Sequence, residues 1–409
     1  MSQPLPKAQA GPRPELHALT SLRFFAAFHV LLFHTHGLIG DSQPVWLIEI
    51  ASGGHHAVSL FFVLSGFILH HAYRHADLTQ SGERRAYFIH RFARIYPVYA
   101  LSFLVDAPRA LGHFLGAYDP ATGLFKAAVT GSAYLTLTQT WVPRLAAAWN
   151  VPGWSVSTEA FFYLLFPWLL PRIVRWSPAR ALAGLALTCA AAAAGQTLGP
   201  TIVEAVGGSA EIWHPWIRVF PPLRTFEFLF GMLLGRLTVA TRDSQPIAAW
   251  AAAAFTGLGA IAVVALSNGF VVPGVGGHHG LLLPFDGILI VSLAVASNPI
   301  ARCLSWRPLR FLGGASYAIY LFHMPVYSYF LRFTARDGEP GPDSPGVFLA
   351  YFATVLLVAS AVFRFYEEPL RRFIRQRLSL SSAQASASDA SPQSHPRVPP
   401  PDRSRFPPA

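Results

Sequence analysis

Arg23 and His34 stand eleven residues apart in LRFFAAFHVLLFH, the first long apolar stretch of the chain. At about 100° per residue, eleven steps make three helical turns plus roughly 20°, so a helix carries both side chains on one face about 16 Å apart. The two can line the same cavity. A charged or titratable group in an apolar span is costly unless protein or water surrounds it, which makes the pair a candidate functional site. A buried, neutral imidazole accepts protons, so His34 reads as a general base and Arg23 as its same-face partner. The competing reading is a histidine hydrogen-bonded to a neighbouring helix. His29 and His36 share the segment but face elsewhere.

Arg91 and Arg94, in Arg91-Phe-Ala-Arg94-Ile-Tyr-Pro97, are three residues apart and project from one side of a helix entering the membrane. Two guanidinium forks so placed can clamp phosphates such as those of coenzyme A, or can serve as topology anchors. Trp154-Ser155-Val-Ser-Thr-Glu159 precedes AFFYLLFPWLL, which puts Glu159 in the first turn of a helix, either complementing the helix dipole or pairing with Arg or His across the bundle. Glu227, just inside another apolar helix, is a second such acid or the partner of Arg224. Ser65, beside Gly66 in FFVLSGF, reads first as close helix packing. His323, two residues before Pro325, faces a cavity or caps a kink.

Other patterns carry less. His36-Gly-Leu-Ile-Gly-Asp41 has a His-x4-Asp spacing, but its glycines read as helix termination. His55 and His56 lack the carboxylates or spacing of a metal site, and the separated Cys189 and Cys303 define neither a disulfide nor a zinc site. No metal is expected.

The elements that must position these residues follow from composition. Of 409 residues 53% are hydrophobic and 12% charged, against about 25% charged in ordinary soluble domains. The expected fold is all-α, a polytopic transmembrane helix bundle with no soluble domain. Apolar segments of roughly spanning length lie near 19–38, 57–73, 95–108, 124–141, 158–171, 181–199, 224–241, 247–266, 281–297, 315–333 and 347–365. Arginine clusters at Arg74, Arg84, Arg85, Arg91 and Arg94, at Arg172, Arg175 and Arg180, at Arg302, Arg307 and Arg310, and at Arg371, Arg372, Arg375 and Arg377 belong to the cytoplasm. Three segments between Arg94 and Arg172 would reverse the sidedness, so one is not a full span and about ten crossings are expected, with both termini cytoplasmic. The charge of +11 is spread between apolar segments, not gathered in one stripe, which argues against nucleic acid. The chain divides into a cytoplasmic N-terminal segment (1–17), a transmembrane domain (18–375) and a Ser/Pro-rich disordered cytoplasmic tail (376–409).

Several strings occur in order: Arg23-x10-His34, Phe61 to Phe67, Arg91-Phe-Ala-Arg94 with Tyr96-Pro97, and Trp154 to Glu159 before FFYLLFP. Phe226 to Gly231, Ser316-Tyr-Ala-Ile-Tyr-Leu-Phe-His323 and Tyr366-Glu367-Glu-Pro369-Leu-Arg371 complete the set. Together they resemble the membrane acyltransferase-3 family, which includes bacterial polysaccharide O-acetylases. The resemblance implies transfer of an acyl group, usually acetyl, from acetyl-coenzyme A or another acyl-coenzyme A to a hydroxyl of a cell-surface glycan or other small acceptor. His34 would be the catalytic histidine, as a general base or a covalent acyl carrier. Arg23 would be its partner, Arg91 and Arg94 would contact the donor, and Glu159 would belong to the same site. The donor is a substrate, with no permanently bound cofactor. Membrane lipid surrounds the chain, in a bacterial inner membrane, and a separate periplasmic protein could accept the acyl group. The rival class is a transporter or flippase, since intramembrane Arg, His and Glu also mark substrate and proton pathways.

Overall fold

The computed structural model describes residues 16–40, 43–240, 249–267, 279–295, 299–335, 344–374 and 376–377. The first fifteen residues, Asp41 of the His-x4-Asp pattern and the tail beyond 377 lie outside these. Every regular element among the described residues is helical. In chain order they are α1 His17–Thr35, α2 Val45–Ser52, α3 Ala57–Tyr73, α4 Ser81–Ala117, α5 Pro120–Leu135, α6 Gly153–Ile173 and α7 Pro178–Ala205. Then come α8 Ala210–Val219, α9 Pro221–Ala240, α10 Ala249–Ser267, α11 His279–Val295, α12 Pro299–Leu304, α13 Arg307–Thr334 and α14 Pro345–Val362.

Local sequence sets several boundaries. Asp119, Ser177 and Ser344 each cap a helix whose first residue is proline, accepting from the backbone N–H of Thr122 (3.1 Å), Arg180 (3.3 Å) and Val347 (3.2 Å). The cap satisfies an orphan donor, and the proline supplies the right φ where no N–H is needed. After α1 the chain makes one tight turn, His36–Ile39, and leaves it at Gly40 with φ 94°, a left-handed conformation that suits glycine.

Among the described residues four stretches are long and apolar enough to cross a membrane: His17–Ile39, Val45–Tyr73, Pro178–Ala205 and Pro345–Ile374. An all-helical chain with such segments fits a membrane protein. The stretch between the apolar segments at 57–73 and 95–108 is helical from Ser81 and continuous with the second of them. The resulting α4 has 37 residues and is about 55 Å long, well beyond a bilayer core of about 30 Å. The segment expected at 124–141 ends as a helix at Leu135, giving α5 only 16 residues.

Close backbone approach holds the centre together. A Cβ on Gly66 of α3 would strike the Phe228 carbonyl oxygen of α9, and one on Gly231 of α9 would strike that of Val63 in α3. Gly313 of α13 meets the Thr20 carbonyl of α1 in the same way. Small residues at such crossings let lipid-embedded helices gain van der Waals contact that apolar bulk alone does not supply.

Two of the prolines inside the helices are compensated individually. Pro325 in α13 frees the carbonyl of Leu321, and the buried Asn150 donates its amide to it at 3.1 Å. Pro167 in α6 frees that of Tyr163, which accepts from the Tyr87 hydroxyl at 3.1 Å. His323 therefore does not cap a break: α13 continues through Pro325 to Thr334.

Gly231→Ala should destabilise the protein by about 1–3 kcal/mol through forced separation of α3 and α9. The measurement is the thermal midpoint in detergent. Gly112→Ala, in α4 where a Cβ meets open space, is the matched control and should leave the midpoint unchanged or raised.

Candidate active site

A cavity of about 330 Å³ opens among α1, α3, α4, α6 and α13, and four arginines line it: Arg23, Arg91, Arg94 and Arg371. Ser65, Glu159, Tyr163, Tyr317 and Tyr320 complete its polar wall. Arg23 comes from the first half of α1 and Arg91 and Arg94 from one side of α4; the cavity expected to be shared by Arg23 and His34 is instead shared by Arg23 and these two arginines.

Glu159 lies in the second turn of α6, not the first, because the helix already begins at Gly153 after the Pro152 turn. The dipole explanation therefore fails, and the carboxylate faces the cavity. There its Oε1 accepts from the Ser65 hydroxyl at 3.1 Å and from the Tyr163 hydroxyl. Ser65 thus does more than pack, while its neighbour Gly66 carries the close helix contact. Arg91 lies between aromatic faces, its guanidinium carbon 5.7 Å from the ring centres of both Tyr73 and Tyr163. The Nε atoms of Arg23 and Arg91 are buried and have no hydrogen-bond partner among the described residues.

Arg94 is held from behind. The buried Glu367 accepts from Arg94 Nη1 and, at 3.2 Å, from Arg371 Nη1. Glu367 closes a π turn, Phe363–Glu367, that follows α14, and the chain then runs helically on to Arg371. Four guanidiniums face two carboxylates here, and the two surplus positive charges suit an anionic ligand. Neither Glu367 nor Arg371 was expected at the site, since Tyr366-Glu-Glu-Pro369 was read as a family string and Arg371 as part of a basic cytoplasmic run.

His34 is not in this wall. It lies near the other end of α1, about 16 Å along the helix from Arg23. Its ring is 5.1 Å, centre to centre, from that of the fully buried His323, and its Nδ1 lies 3.0 Å from the Val30 carbonyl and 3.2 Å from His323 Nε2. His323 Nδ1 bonds the Tyr320 carbonyl and must carry hydrogen to do so, which leaves Nε2 of its neutral ring as an acceptor. His34 then donates from Nδ1 to both, and its own Nε2 keeps a lone pair. That lone pair makes no hydrogen bond within the described protein and is available as a base. His323 therefore meets His34 and not the arginine cavity, although Tyr320 borders both.

The other expected residues divide. Ser155 lines the arginine cavity, and its hydroxyl donates to the Pro152 carbonyl at 3.1 Å. Trp154 faces the other way, over the Arg224 guanidinium at 5.8 Å. Glu227 does not reach the cavity: it pairs with Arg224 at 3.0 Å, both side chains 2% exposed, and Arg224 also donates to Ser59 at 3.1 Å. His56, read as lacking a carboxylate, has one in Asp286, buried in α11 at 3.3 Å. No group of three or more His, Cys, Asp or Glu able to hold a metal occurs among the described residues.

Residues 16–364 match the acyltransferase domain family Acyl_transf_3. The chain is 30% identical to the acyltransferase MdmB of Streptomyces mycarofaciens, over 92% of this chain and 97% of that protein. It is 27% identical to the exopolysaccharide production protein ExoZ of Rhizobium meliloti, over 79% and 93%. With the peptidoglycan O-acetyltransferase OatA of Listeria monocytogenes it shares 25% identity over 88% of its own length but only 56% of that protein. No solved structure matches. A match across most of the chain, over the helices that build both the arginine cavity and the histidine pair, makes this chain a member of the acyltransferase-3 family.

Proposed function

We propose that this chain is an integral-membrane O-acyltransferase. It moves an acyl group, acetyl in the simplest case, from an acyl-coenzyme A donor to a hydroxyl of a cell-surface glycan or related small acceptor. The observation that carries this reading is an arginine-lined cavity with surplus positive charge and, about 16 Å along α1 from Arg23, a histidine pair with one open lone pair. Coenzyme A presents phosphates that guanidinium forks recognise, and the chemistry needs a base for the acceptor hydroxyl. In this reading Arg91, Arg94, Arg23 and Arg371 hold the donor, and Glu159 with its two hydroxyl donors fixes the shape of the wall around them.

His34 Nε2 takes the proton of the acceptor hydroxyl as that oxygen attacks the thioester carbonyl. The C–O bond forms, the C–S bond breaks, and the departing thiolate recovers the proton from the imidazolium. His323 holds the His34 ring in the orientation that leaves Nε2 open. In this reading the protein lies in a bacterial inner membrane with about ten crossings and both ends cytoplasmic, an arrangement the arginine distribution supports. The donor then enters where Arg91 and Arg94 cluster, and the acyl group leaves for a lipid-linked sugar or a separate periplasmic acceptor protein.

Two outcomes follow. His34→Ala should lower turnover by about 10²- to 10⁴-fold while expression and membrane insertion stay normal, measured as acyl transfer in detergent, where no gradient exists to drive a transporter. Full transfer by that variant would remove the mechanism. Arg91→Ala and Arg94→Ala should each raise the donor KM by roughly ten- to a hundredfold, the effect of losing one charge-assisted bond. Unchanged donor KM would return both arginines to the role of topology anchors.

A further inference from the structure

A second cavity, about 760 Å³, lies at the opposite end of α1 from the arginines. Phe33 of α1 lines it, whereas Thr20 and Arg23 line the first, a separation of about 15–20 Å along the helix. Its size is that of ordinary small-molecule sites. The two cavities share a partition in which the Arg224 guanidinium packs beside Phe62, at 5.2 Å, and Trp154, at 5.8 Å. Phe62 borders the first cavity, and Trp154 and Arg224 border the second.

The second cavity carries polar groups with nothing to bind. Glu211 and Arg218, seven residues apart on α8, both line it, and neither has an ion-pair or hydrogen-bond partner among the described residues. Seven residues are two turns, so the carboxylate and the guanidinium sit on one helix face about 10 Å apart. The Trp154 indole N–H is likewise without a hydrogen-bond acceptor among the described residues. The Phe33 ring, which lines this cavity, lies 4.9 Å from that of His34. An aromatic face, one acid and one base spaced across a cavity this wide match a ring with an apolar face and several hydroxyls.

We infer that this cavity is the acceptor site and that it takes a glycosyl ring. The ring stacks on Trp154, its hydroxyls are oriented by Glu211 and Arg218, and α8 acts as the specificity element. The inference rests on the acyl-transfer reading.

The test uses the full chain purified in detergent, acetyl-coenzyme A, and a panel of p-nitrophenyl glycosides as acceptor probes. The wild-type chain should acetylate at least one glycoside. Glu211→Gln and Arg218→Gln, both at exposed positions whose replacement leaves the core intact, should each raise the KM for that glycoside at least about tenfold. The donor KM, kcat and coenzyme A affinity by calorimetry should stay within about twofold, a split that a merely structural role of α8 would not give. Unchanged glycoside KM in both variants overturns the assignment of the cavity. A wild-type chain that binds coenzyme A yet acetylates no member of the panel overturns the glycosyl class of ligand. A chain that neither binds coenzyme A nor releases its thiol sinks the acyl-transfer reading itself, a failure distinct from the other two.

Discussion

A guanidinium inside an apolar helix bundle is tolerated only where carboxylates, hydroxyls and aromatic faces replace the water it has lost. The arrangement around the arginine cavity is organised by that constraint. Glu367 binds Arg94 and Arg371 together. Tyr73 and Tyr163 enclose Arg91, and Ser65 and Tyr163 hold Glu159. These partners come from α3, α4, α6 and the end of α14, so the site exists only once those helices have assembled. Removing Glu367 would leave two guanidiniums close together without their common counter-ion. The π turn preceding Arg371 shifts the helical register there, a common device at functional sites.

The same rule recurs away from the cavity. Asp106 and Arg109 form a two-point bridge inside α4, at 2.7 and 2.6 Å, and Arg109 also donates to the Trp149 carbonyl. Arg224 and Glu227 lie one turn apart on α9, and His56 and Asp286 join α11 to the chain just before α3. In each of these pairs a polar group within the helix bundle lies close to a group of complementary character. Buried pairs of this kind add little net stability, yet losing one member leaves a charge uncompensated. They therefore fix which helix faces meet, while the glycine crossings fix how closely.

How far this was legible in the sequence depends on separation along the chain. Periodicity is a local property: it set Arg91 with Arg94 on one face of α4, as observed, but of the two residues it assigned to one cavity, Arg23 and His34, only Arg23 lines it. The Ser/Asp-Pro caps and the Gly40 exit were equally local. Pairings made across the fold were not readable: His34 meets His323, 289 residues away, and Arg94 meets Glu367, 273 residues away. Glu159 was misplaced by a turn because Pro152 and Gly153 read as punctuation before the helix, whereas they form its start. Hydropathy also underestimated α4, whose first turns are charged and helical at once.

The separation of Arg23 from His34 has a chemical logic. In the proposed reaction a thioester donor carries its phosphates far from its reactive carbon, so the groups that recognise charge and the group that moves a proton belong at different points along α1. A rigid helix is the simplest ruler for that distance, and α1 is packed on its neighbours closely enough to serve, with Gly313 against Thr20 and Gly54 against the His29 carbonyl. A single helix carrying both residues keeps their spacing fixed while the helices around it adjust to the substrates. The two residues need not share a wall for that. They need only face, from fixed positions, the two ends of the same extended molecule.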